Sequence, residues 1–435
     1  MQKYIIPVKL PTSLLPEFLF FVPLLHYSPH ISPLCPLCVI FFPLNWFYYD
    51  FGVSLLLFLN ALMMNYTERF GMLNAAFDWD TTTVLPESTS TIRFCTFRSN
   101  TSLYFKASEP ENLFSDDVTE NKSFTYPVFV PAGVEKSADV ILLMHGLNER
   151  NWNKYLTWAE FLCNSTGKTV VLFPIAFHIN RSPASWSDPR YLHAIYDLRK
   201  RRNANDRSLS LANVALSERI TQAPYRFYSS GRQSVDDITQ LVTDIKSGNH
   251  PLFCENTKVD VFAYSIGAFL SQIIFMTNPG NLFSDAKLFM FCGGSIFSDM
   301  FGQSRTIMDK QAFDRLFSYY LNDFPAQNEQ DGCDKAFRSF YSMIAPERNA
   351  TERVLFFNAL KKRLSGISLQ RDVVIPYQGV EKALGMELAH KCIDLLDFDF
   401  DYTHENPFPV NGRIDRKKVD ASFEQVFSKA AEFLK

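Results

Sequence analysis

A serine at a sharp turn between an apolar strand and an apolar helix is the strongest chemical signal in this sequence. Residues 260–269 read DVFAYSIGAF, with Ser265 at the centre and the small residues Ala263 and Gly267 two positions to either side. A nucleophilic serine needs small neighbours because the strained turn that exposes its hydroxyl leaves no room for side chains there, as in the pattern G-x-S-x-G. The helix that follows directs free backbone N–H groups towards developing negative charge. The spacing predicts a nucleophile, from which Ala263 is a departure, and an ordinary turn with a capping serine is the alternative.

Three further polar groups stand where apolar segments end and could serve this serine. His145 and Gly146 follow an apolar run, Asp372 lies in the string QRDVVIP, and His404 lies in the polar, proline-rich loop YTHENPFP. An imidazole can take the proton of an attacking serine, and a carboxylate that accepts the other imidazole N–H holds the reactive tautomer. We therefore predict that His404 is the general base and that Asp372 is the acid that orients it. The His-Gly pair by itself is also compatible with a simple turn.

Other acidic residues and one other histidine are alternatives for these two roles. Asp397, Asp399 and Asp401 alternate with phenylalanines, so we expect them to line one polar face of the last strand. Asp299 follows an earlier predicted strand, and any of these four could be the orienting acid instead. His390, at the predicted entrance to a strand, is the alternative base.

The elements that position these residues are strands alternating with helices. Apolar segments bounded by polar turns predict strands at residues 91–97, 103–107, 124–130, 138–144, 169–174, 259–264, 286–292, 367–375 and 393–400. Helical periodicity predicts helices at residues 153–164, 234–245, 267–276, 379–384 and 421–434. Such alternation implies an α/β fold with a mainly parallel sheet and helices on both faces.

Two segments interrupt the alternation, at residues 178–232 and 297–366. Both follow strands on the side where such a fold places its ligand-handling loops. The second is mostly helical in pattern and is our candidate for a lid or cap. The first contains four consecutive basic residues, 199–202, which we interpret as a solvated helix face rather than as a nucleic-acid signal.

The first 63 residues differ in character from the domain predicted for residues 64–435. No Lys, Arg, Asp or Glu occurs between Glu17 and Asp50, yet every window long enough for a membrane helix contains prolines. Each interior proline costs a helix about 3 kcal/mol. We expect residues 1–63 to be upstream sequence translated from a wrongly chosen start, which would leave a cytoplasmic protein. A genuine membrane or export segment is the alternative.

Charge and cysteine content point to no macromolecular partner or metal. The formal net charge is −3, with 43 basic and 46 acidic side chains, which gives no reason to expect a nucleic acid partner. The pair Cys35 and Cys38 has C-x-x-C form, but no second pair follows, so we predict neither a metal site nor a cofactor.

From about residue 124 to residue 435 the sequence resembles the α/β-hydrolase superfamily. The resemblance rests on four motifs in the chain order of that superfamily: His145-Gly146, Ala263-x-Ser265-x-Gly267, Asp372-x-x-x-Pro376 and His404. It implies that the backbone N–H groups of Leu147 and Ile266 are the oxyanion donors, supported by the turn at His145 and Gly146. Residues 208–219 and 404–409 are also similar to an uncharacterised bacterial branch of that superfamily, which supplies no substrate.

The function that these residues predict is a serine hydrolase that cleaves a carboxylic ester or thioester through an acyl-enzyme intermediate. The expected partner is a small-molecule acyl substrate, with no cofactor, no nucleic acid and no firm membrane association, and the oligomeric state stays open. Two alternatives remain: a catalytically silent binding or scaffold protein on the same fold, which Ala263 keeps open, and an acyltransferase.

Overall fold

A computed structural model describes residues 65–79, 81–85, 88–101, 116–324 and 334–435. The expectations for residues 1–63, and the predicted strand at residues 103–107, fall outside the described residues and stay predictions. Within the described ranges, no helix is both long enough and apolar enough to cross a membrane.

The strands of the described residues form one mixed sheet. They are β1 Thr83–Val84, β2 Ser90–Arg98, β3 Ser123–Pro131, β4 Ser137–Met144, β5 Thr169–Leu172, β6 Phe253–Tyr264, β7 Leu288–Phe291, β8 Leu364–Leu369 and β9 Ile393–Leu396. Their order across the sheet is β1-β2-β3-β5-β4-β6-β7-β8-β9. The pairs from β5 to β9 are parallel, whereas β1, β2 and β3 pair antiparallel with their neighbours.

Helices cover both faces of this sheet. They are α1 Tyr66–Ala76, α2 Thr119–Lys122, α3 Asn153–Thr166, α4 Pro189–Arg202, α5 Val214–Gln222, α6 Arg226–Lys246, α7 Ile266–Thr277, α8 Lys310–Ser318, α9 Lys335–Ser342, α10 Ala350–Leu360, α11 Tyr377–Leu384, α12 Met386–Cys392 and α13 Arg416–Leu434. Short 3-10 turns lie at Ile179–Arg181, Ala184–Ser187, Pro279–Asn281 and Phe297–Asp299, and a π-helical turn lies at Tyr319–Asp323.

The core is divided by the sheet, because alternate residues of β4 point to opposite faces. Val140 and Leu142 pack in one cluster with the buried residues of α6 and α7. Ile141 and Leu143 pack in the other cluster with α1, α3 and α13. A parallel sheet covered on both faces reads as a continuous apolar run, which is why β4 and β6 were predictable from the sequence. The predicted fold class is confirmed, and the architecture is that of an α/β-hydrolase fold.

Two predicted strands, those at residues 367–375 and 393–400, end earlier than expected. The strand predicted for residues 367–375 ends at Leu369, because the Asp372 carboxylate accepts the N–H groups of Val374 and Ile375 and turns the chain. The strand predicted for residues 393–400 ends at Leu396, where Arg371 donates to backbone carbonyls that a ladder would otherwise use. The interpretation that the last strand presents a face of aspartates is therefore wrong, since those aspartates follow the strand.

The interpretation of residues 199–202 as a solvated face is wrong for Arg199. Its guanidinium is fully buried and lies 2.6 Å from Glu218 Oε2 and 2.7 Å from both Asp309 carboxylate oxygens. The other three basic residues are exposed on α4. Because Glu218 belongs to the segment 178–232 and Asp309 to the segment 297–366, Arg199 joins the two interrupting segments.

Replacing Arg199 should therefore destabilise the protein far more than replacing an exposed basic neighbour. Arg199→Met leaves two buried carboxylates without their main partner, and we expect the free energy of unfolding to fall by about 3–5 kcal/mol. The matched control, Arg201→Met on the exposed face of the same helix, should change it by less than about 0.5 kcal/mol. Urea unfolding followed by circular dichroism measures both, and equal effects of the two variants would contradict the prediction.

Candidate active site

Ser265 lies at the strained turn between β6 and α7. Its backbone has φ 56° and ψ −124°, a conformation that non-glycine residues rarely adopt. A methyl group added at Gly267 would lie 2.7 Å from the carbonyl oxygens of both Met144 and His145. One added at Gly293, a residue that sequence reasoning missed, would lie 2.5 Å from the Ala268 side chain. The small residues are therefore required by the close approach of α7 to the chain segments beside it.

Ala263 fits the position where the sequence pattern has glycine. It is fully buried and paired in the sheet with Met144 on β4 and Met290 on β7. Since Ser265 adopts the strained conformation with alanine at this position, the extra methyl group is compatible with the turn.

The predicted nucleophile, general base and orienting acid lie next to one another in the structure. Ser265 Oγ is 2.7 Å from His404 Nε2, and His404 Nδ1 is 2.7 Å from Asp372 Oδ2. All three side chains are buried, with relative exposures of 5%, 3% and 4%. The other oxygen of Asp372 accepts two backbone N–H groups at 2.9 Å, which fixes the carboxylate against the imidazole. This arrangement can remove a proton from a serine hydroxyl and stabilise the resulting imidazolium.

His404 is also held by Tyr264, which sequence reasoning missed. The Tyr264 hydroxyl donates a hydrogen bond to the backbone carbonyl of His404, and the two rings stack with an interplanar angle of 15°. The only sequence signal for this contact is that Tyr264 precedes the serine at the end of a buried strand, since its partner lies 140 residues away.

The alternative acids and the alternative base bind partners elsewhere. The structure gives them these ion-pair partners: Asp397 and Asp401 with Arg371, Asp399 with Lys418, Asp299 with Lys382, and His390 with Glu381. Of the candidate acids, it is Asp372 that contacts the imidazole of His404.

Hydrogen bonds made by His145 and Gly146 fix the turn that follows β4. His145 Nδ1 donates to the carbonyl of Gly146 at 2.7 Å, and its Nε2 accepts the N–H of Ile175 at 2.9 Å. Burial lowers the pKa of His145 to about 3, so the ring is neutral in this role. The N–H of Gly146 donates to the Tyr155 hydroxyl, which in turn donates to Glu149. These hydrogen bonds therefore fix the conformation of the loop that follows β4.

The backbone N–H groups of Leu147 and Ile266 are the remaining predicted site groups. Within the described ranges, no backbone hydrogen bond uses either of them as a donor. The N–H of Ile266 opens α7, where the helix dipole favours negative charge. Both residues line one cavity, and Leu147 also lines the pocket that contains Ser265.

Two cavities meet at Leu147, which lines both of them. One contains Ser265 and His404, and its lining includes the charged residues Glu149, Arg150 and Lys154. Ala212 and Thr306, from the two interrupting segments, also line it. The other is mainly apolar, with His178, Ser230 and Arg232 among its polar residues, and its apolar lining includes Leu147, Ile175, Phe227, Val235, Ile266, Phe269, Leu270, Ile273 and Phe340. The interrupting segments thus contribute walls to both cavities.

His178 is a further buried histidine beside the loop. It packs against His145 with ring centroids 5.3 Å apart, and its Nδ1 donates to the carbonyl of Ala176 at 2.9 Å. Burial, with a smaller contribution from His145, lowers the pKa of His178 from 6.5 to about 3. The folded protein therefore keeps this ring neutral at pH values where the unfolded chain protonates it.

Comparison with known proteins assigns a family but no activity. A family model described as "Family of unknown function (DUF6051)" matches residues 64–435. No curated protein sequence gives a significant match.

Solved structures that match this chain include esterases and a peptidase, all at low identity and low TM-score. Carboxyl esterase 2 of the mycorrhizal fungus Tuber melanosporum is 11% identical (TM-score 0.37; 76% of this chain and 91% of that chain). An esterase of Pyrobaculum calidifontis is 10% identical (TM-score 0.37; 79% and 84%). A candidate dipeptidyl aminopeptidase IV of Bacteroides ovatus is 12% identical (TM-score 0.39; 78% and 36%). Neither a substrate nor a reaction of this chain follows from these likenesses.

The depressed pKa of His178 predicts a loss of stability in mild acid. Below pH 6.5 the unfolded chain gains a proton at this residue that the folded protein does not, so the free energy of unfolding falls as pH falls. In His178→Gln that fall should be smaller by about 1.4 kcal/mol per pH unit between pH 6 and pH 5. Urea unfolding across this pH range measures the slope, with His193→Gln at an exposed position as the control. Equal slopes in the wild type and His178→Gln would refute the prediction.

Proposed function

The chain belongs to the DUF6051 family, whose function is unknown, and we propose that it is a serine hydrolase that cleaves a carboxylic ester or thioester. The observation that carries the proposal is the buried pair of hydrogen bonds that joins Ser265 to His404 and His404 to Asp372, each with 2.7 Å between the bonded atoms. A structural serine has no need of a buried imidazole–carboxylate pair, and the strained backbone of Ser265 is typical of a residue held for function.

In the proposed reaction, the first step forms an acyl-enzyme. Ser265 Oγ attacks the carbonyl carbon while its proton passes to His404 Nε2, and the carbonyl electron pair moves onto the oxygen. The N–H groups of Leu147 and Ile266 stabilise that oxyanion, and one such donor typically contributes 10²–10³-fold to turnover. When the tetrahedral intermediate collapses, the bond to the leaving oxygen or sulfur breaks, and the leaving group takes the proton from His404.

The second step releases the acyl group by the same route. Water gives a proton to His404 Nε2 and attacks the ester that joins the acyl group to Ser265. Collapse of the second tetrahedral intermediate returns the proton to Ser265 Oγ and frees a carboxylic acid. Throughout, Asp372 accepts the N–H of His404 Nδ1 and stabilises the imidazolium without taking up the proton itself.

The apolar cavity beside the oxyanion donors supports an acyl chain as its occupant. Its walls are mostly aliphatic and aromatic, and about 25 cal/mol is gained for each Å² of apolar surface that leaves water. Gly231 on α6 lines this cavity, and a Cβ added there would have no neighbouring heavy atom within 4 Å. A larger side chain at residue 231 would therefore fit without a clash at the wall of the cavity that we assign to the acyl chain.

Active-site labelling tests the proposed nucleophile and base. The wild type should react with a fluorophosphonate probe, Ser265→Ala should not react, and His404→Ala should react about 10²–10⁴-fold more slowly. The matched controls are Ser271→Ala, a buried serine in the same helix whose hydroxyl bonds the carbonyl of Gly267, and His390→Ala. Labelling that survives in Ser265→Ala, or a folded wild type that neither reacts nor turns over esters, would sink the proposal and favour a silent binding protein.

Filling the apolar cavity should shorten the preferred acyl chain. In Gly231→Leu, the ratio of kcat/KM for p-nitrophenyl octanoate to that for p-nitrophenyl acetate should fall by about tenfold, since each buried methylene contributes about 0.8 kcal/mol. Gly71→Leu is the matched control, because Gly71 is also a helical glycine with open space around it but lies on α1. An unchanged ratio in Gly231→Leu would show that the acyl chain lies elsewhere.

A further inference from the structure

A third cavity adjoins the apolar cavity and is lined by more charged residues. The two cavities share Leu147, His178, Phe227 and Ser230 in their walls. The charged residues that line the third cavity are Glu149, Arg150, Arg219 and Arg226. Three of these four residues are arginines, so the balance of fixed charge around the cavity depends on how each arginine is paired.

Arg219 is buried without enough acceptors. It is 5% exposed, and its Nε and Nη2 atoms have no hydrogen-bond partner. Its ion-pair partner is Asp116, whose Oδ1 lies 3.6 Å from Nη2, beyond hydrogen-bond distance. The Arg219 Cζ atom lies 4.0 Å from the centroid of the Trp186 ring and 4.8 Å from that of Phe177. This packing holds the guanidinium in place at the wall of the third cavity.

The carboxylate nearest to Arg219 is already used by a second arginine. Arg226 Nε lies 2.7 Å from Asp116 Oδ1, and its Nη2 lies 3.0 Å from Oδ2, so the two groups form a bidentate pair. Two buried guanidinium groups therefore share one carboxylate. Burial, and then the charge of Arg226, lower the pKa of Arg219 to about 9. These effects have the sign expected for a cation that lacks a full counter-charge.

The other charged groups around the cavity do not supply that counter-charge. Glu149 accepts hydrogen bonds from Lys154 and from the Tyr155 hydroxyl, both at 2.6 Å. Arg150 donates to the backbone carbonyls of Leu211 and Ala212, which are neutral acceptors. His178 is held neutral by burial, which lowers its pKa to about 3. Among the described residues that line it, the third cavity therefore has more arginines than carboxylates, and it lies next to the apolar cavity.

We propose that Arg219 binds an anionic group of the substrate, a carboxylate or a phosphate, while the scissile carbonyl lies at Ser265. The planar guanidinium presents donors at the spacing of two oxygens of such a group. The substrate class is thus an ester or thioester with an apolar chain and an acidic end. The location of the carbonyl rests on the proposed function, whereas anion binding at Arg219 needs no turnover.

Calorimetric titration of the Ser265→Ala protein tests this site without any reaction. The probes are the monomethyl esters of glutarate, adipate and suberate, which span a range of lengths, and inorganic phosphate. The dimethyl esters of the same acids are the neutral comparators. Arg219→Met and Arg219→Lys are added to Ser265→Ala, and Arg202→Met serves as the control because Arg202 is half-exposed and carries the same charge.

The expected result is that at least one anionic probe binds the Ser265→Ala protein and that its neutral ester binds at least tenfold more weakly. Arg219→Met should weaken anion binding by about tenfold to a hundredfold, the usual range for a hydrogen bond to a charged group. Arg219→Lys should weaken it by a smaller factor, and Arg202→Met should leave it unchanged. Binding of monoesters alone would identify a carboxylate, and binding of phosphate alone would identify a phosphate.

Two results would overturn the anion site. One is that no anionic probe binds the Ser265→Ala protein, and the other is that the probe binds equally well when Arg219 is replaced. Arg219→Met should also melt no lower than its parent, because it removes a buried charge that is incompletely paired. If Arg219→Met does not fold, Arg219→Lys decides the question, since it keeps the charge and removes the fork. If the wild type does not react with the fluorophosphonate probe, the proposed serine chemistry is wrong, but the proposed anion site is not affected.

Discussion

The close approach of helix α7 to the turn after β4 is the constraint on which the rest of the site depends. Gly267 lies so near the carbonyl oxygens of Met144 and His145 that a methyl group would come within 2.7 Å of them. This contact brings the first turn of α7, with the N–H of Ile266, beside the loop that carries Leu147. It also holds the chain in the strained conformation that directs Ser265 towards His404.

Two buried arginines near this site, Arg199 and Arg219, differ in how fully they are paired. Arg199 is paired with two carboxylates, one from each interrupting segment, so that buried ion pairs join the two segments. Arg219 shares one carboxylate with Arg226 and keeps two nitrogens without partners. Burying a guanidinium without partners is unfavourable, so the full pairing of Arg199 is typical of a structural ion pair. The incomplete pairing of Arg219 is the feature on which the proposed anion site rests.

Sequence reasoning failed where side chains, some near in the chain and some distant, replaced the regular backbone pattern. The predicted strands at residues 367–375 and 393–400 are cut short because Asp372 and Arg371 take over the backbone groups that a longer ladder would use. Arg199 looked like one member of an exposed basic run, because its partners Glu218 and Asp309 lie 19 and 110 residues away. Local periodicity carries no information about such pairs.

The sequence by itself determined the α/β fold class, most of the central strands and helices, and the identity of Ser265, His404 and Asp372 as candidates. It could do so because buried parallel strands are continuous apolar runs and because a tight strand-to-helix turn tolerates few residue types. Only the tertiary structure decided which acid contacts His404, which arginines are paired, and which cavities border the serine. These depend on contacts between segments far apart in the chain, where geometry selects among residues that the sequence alone leaves equivalent.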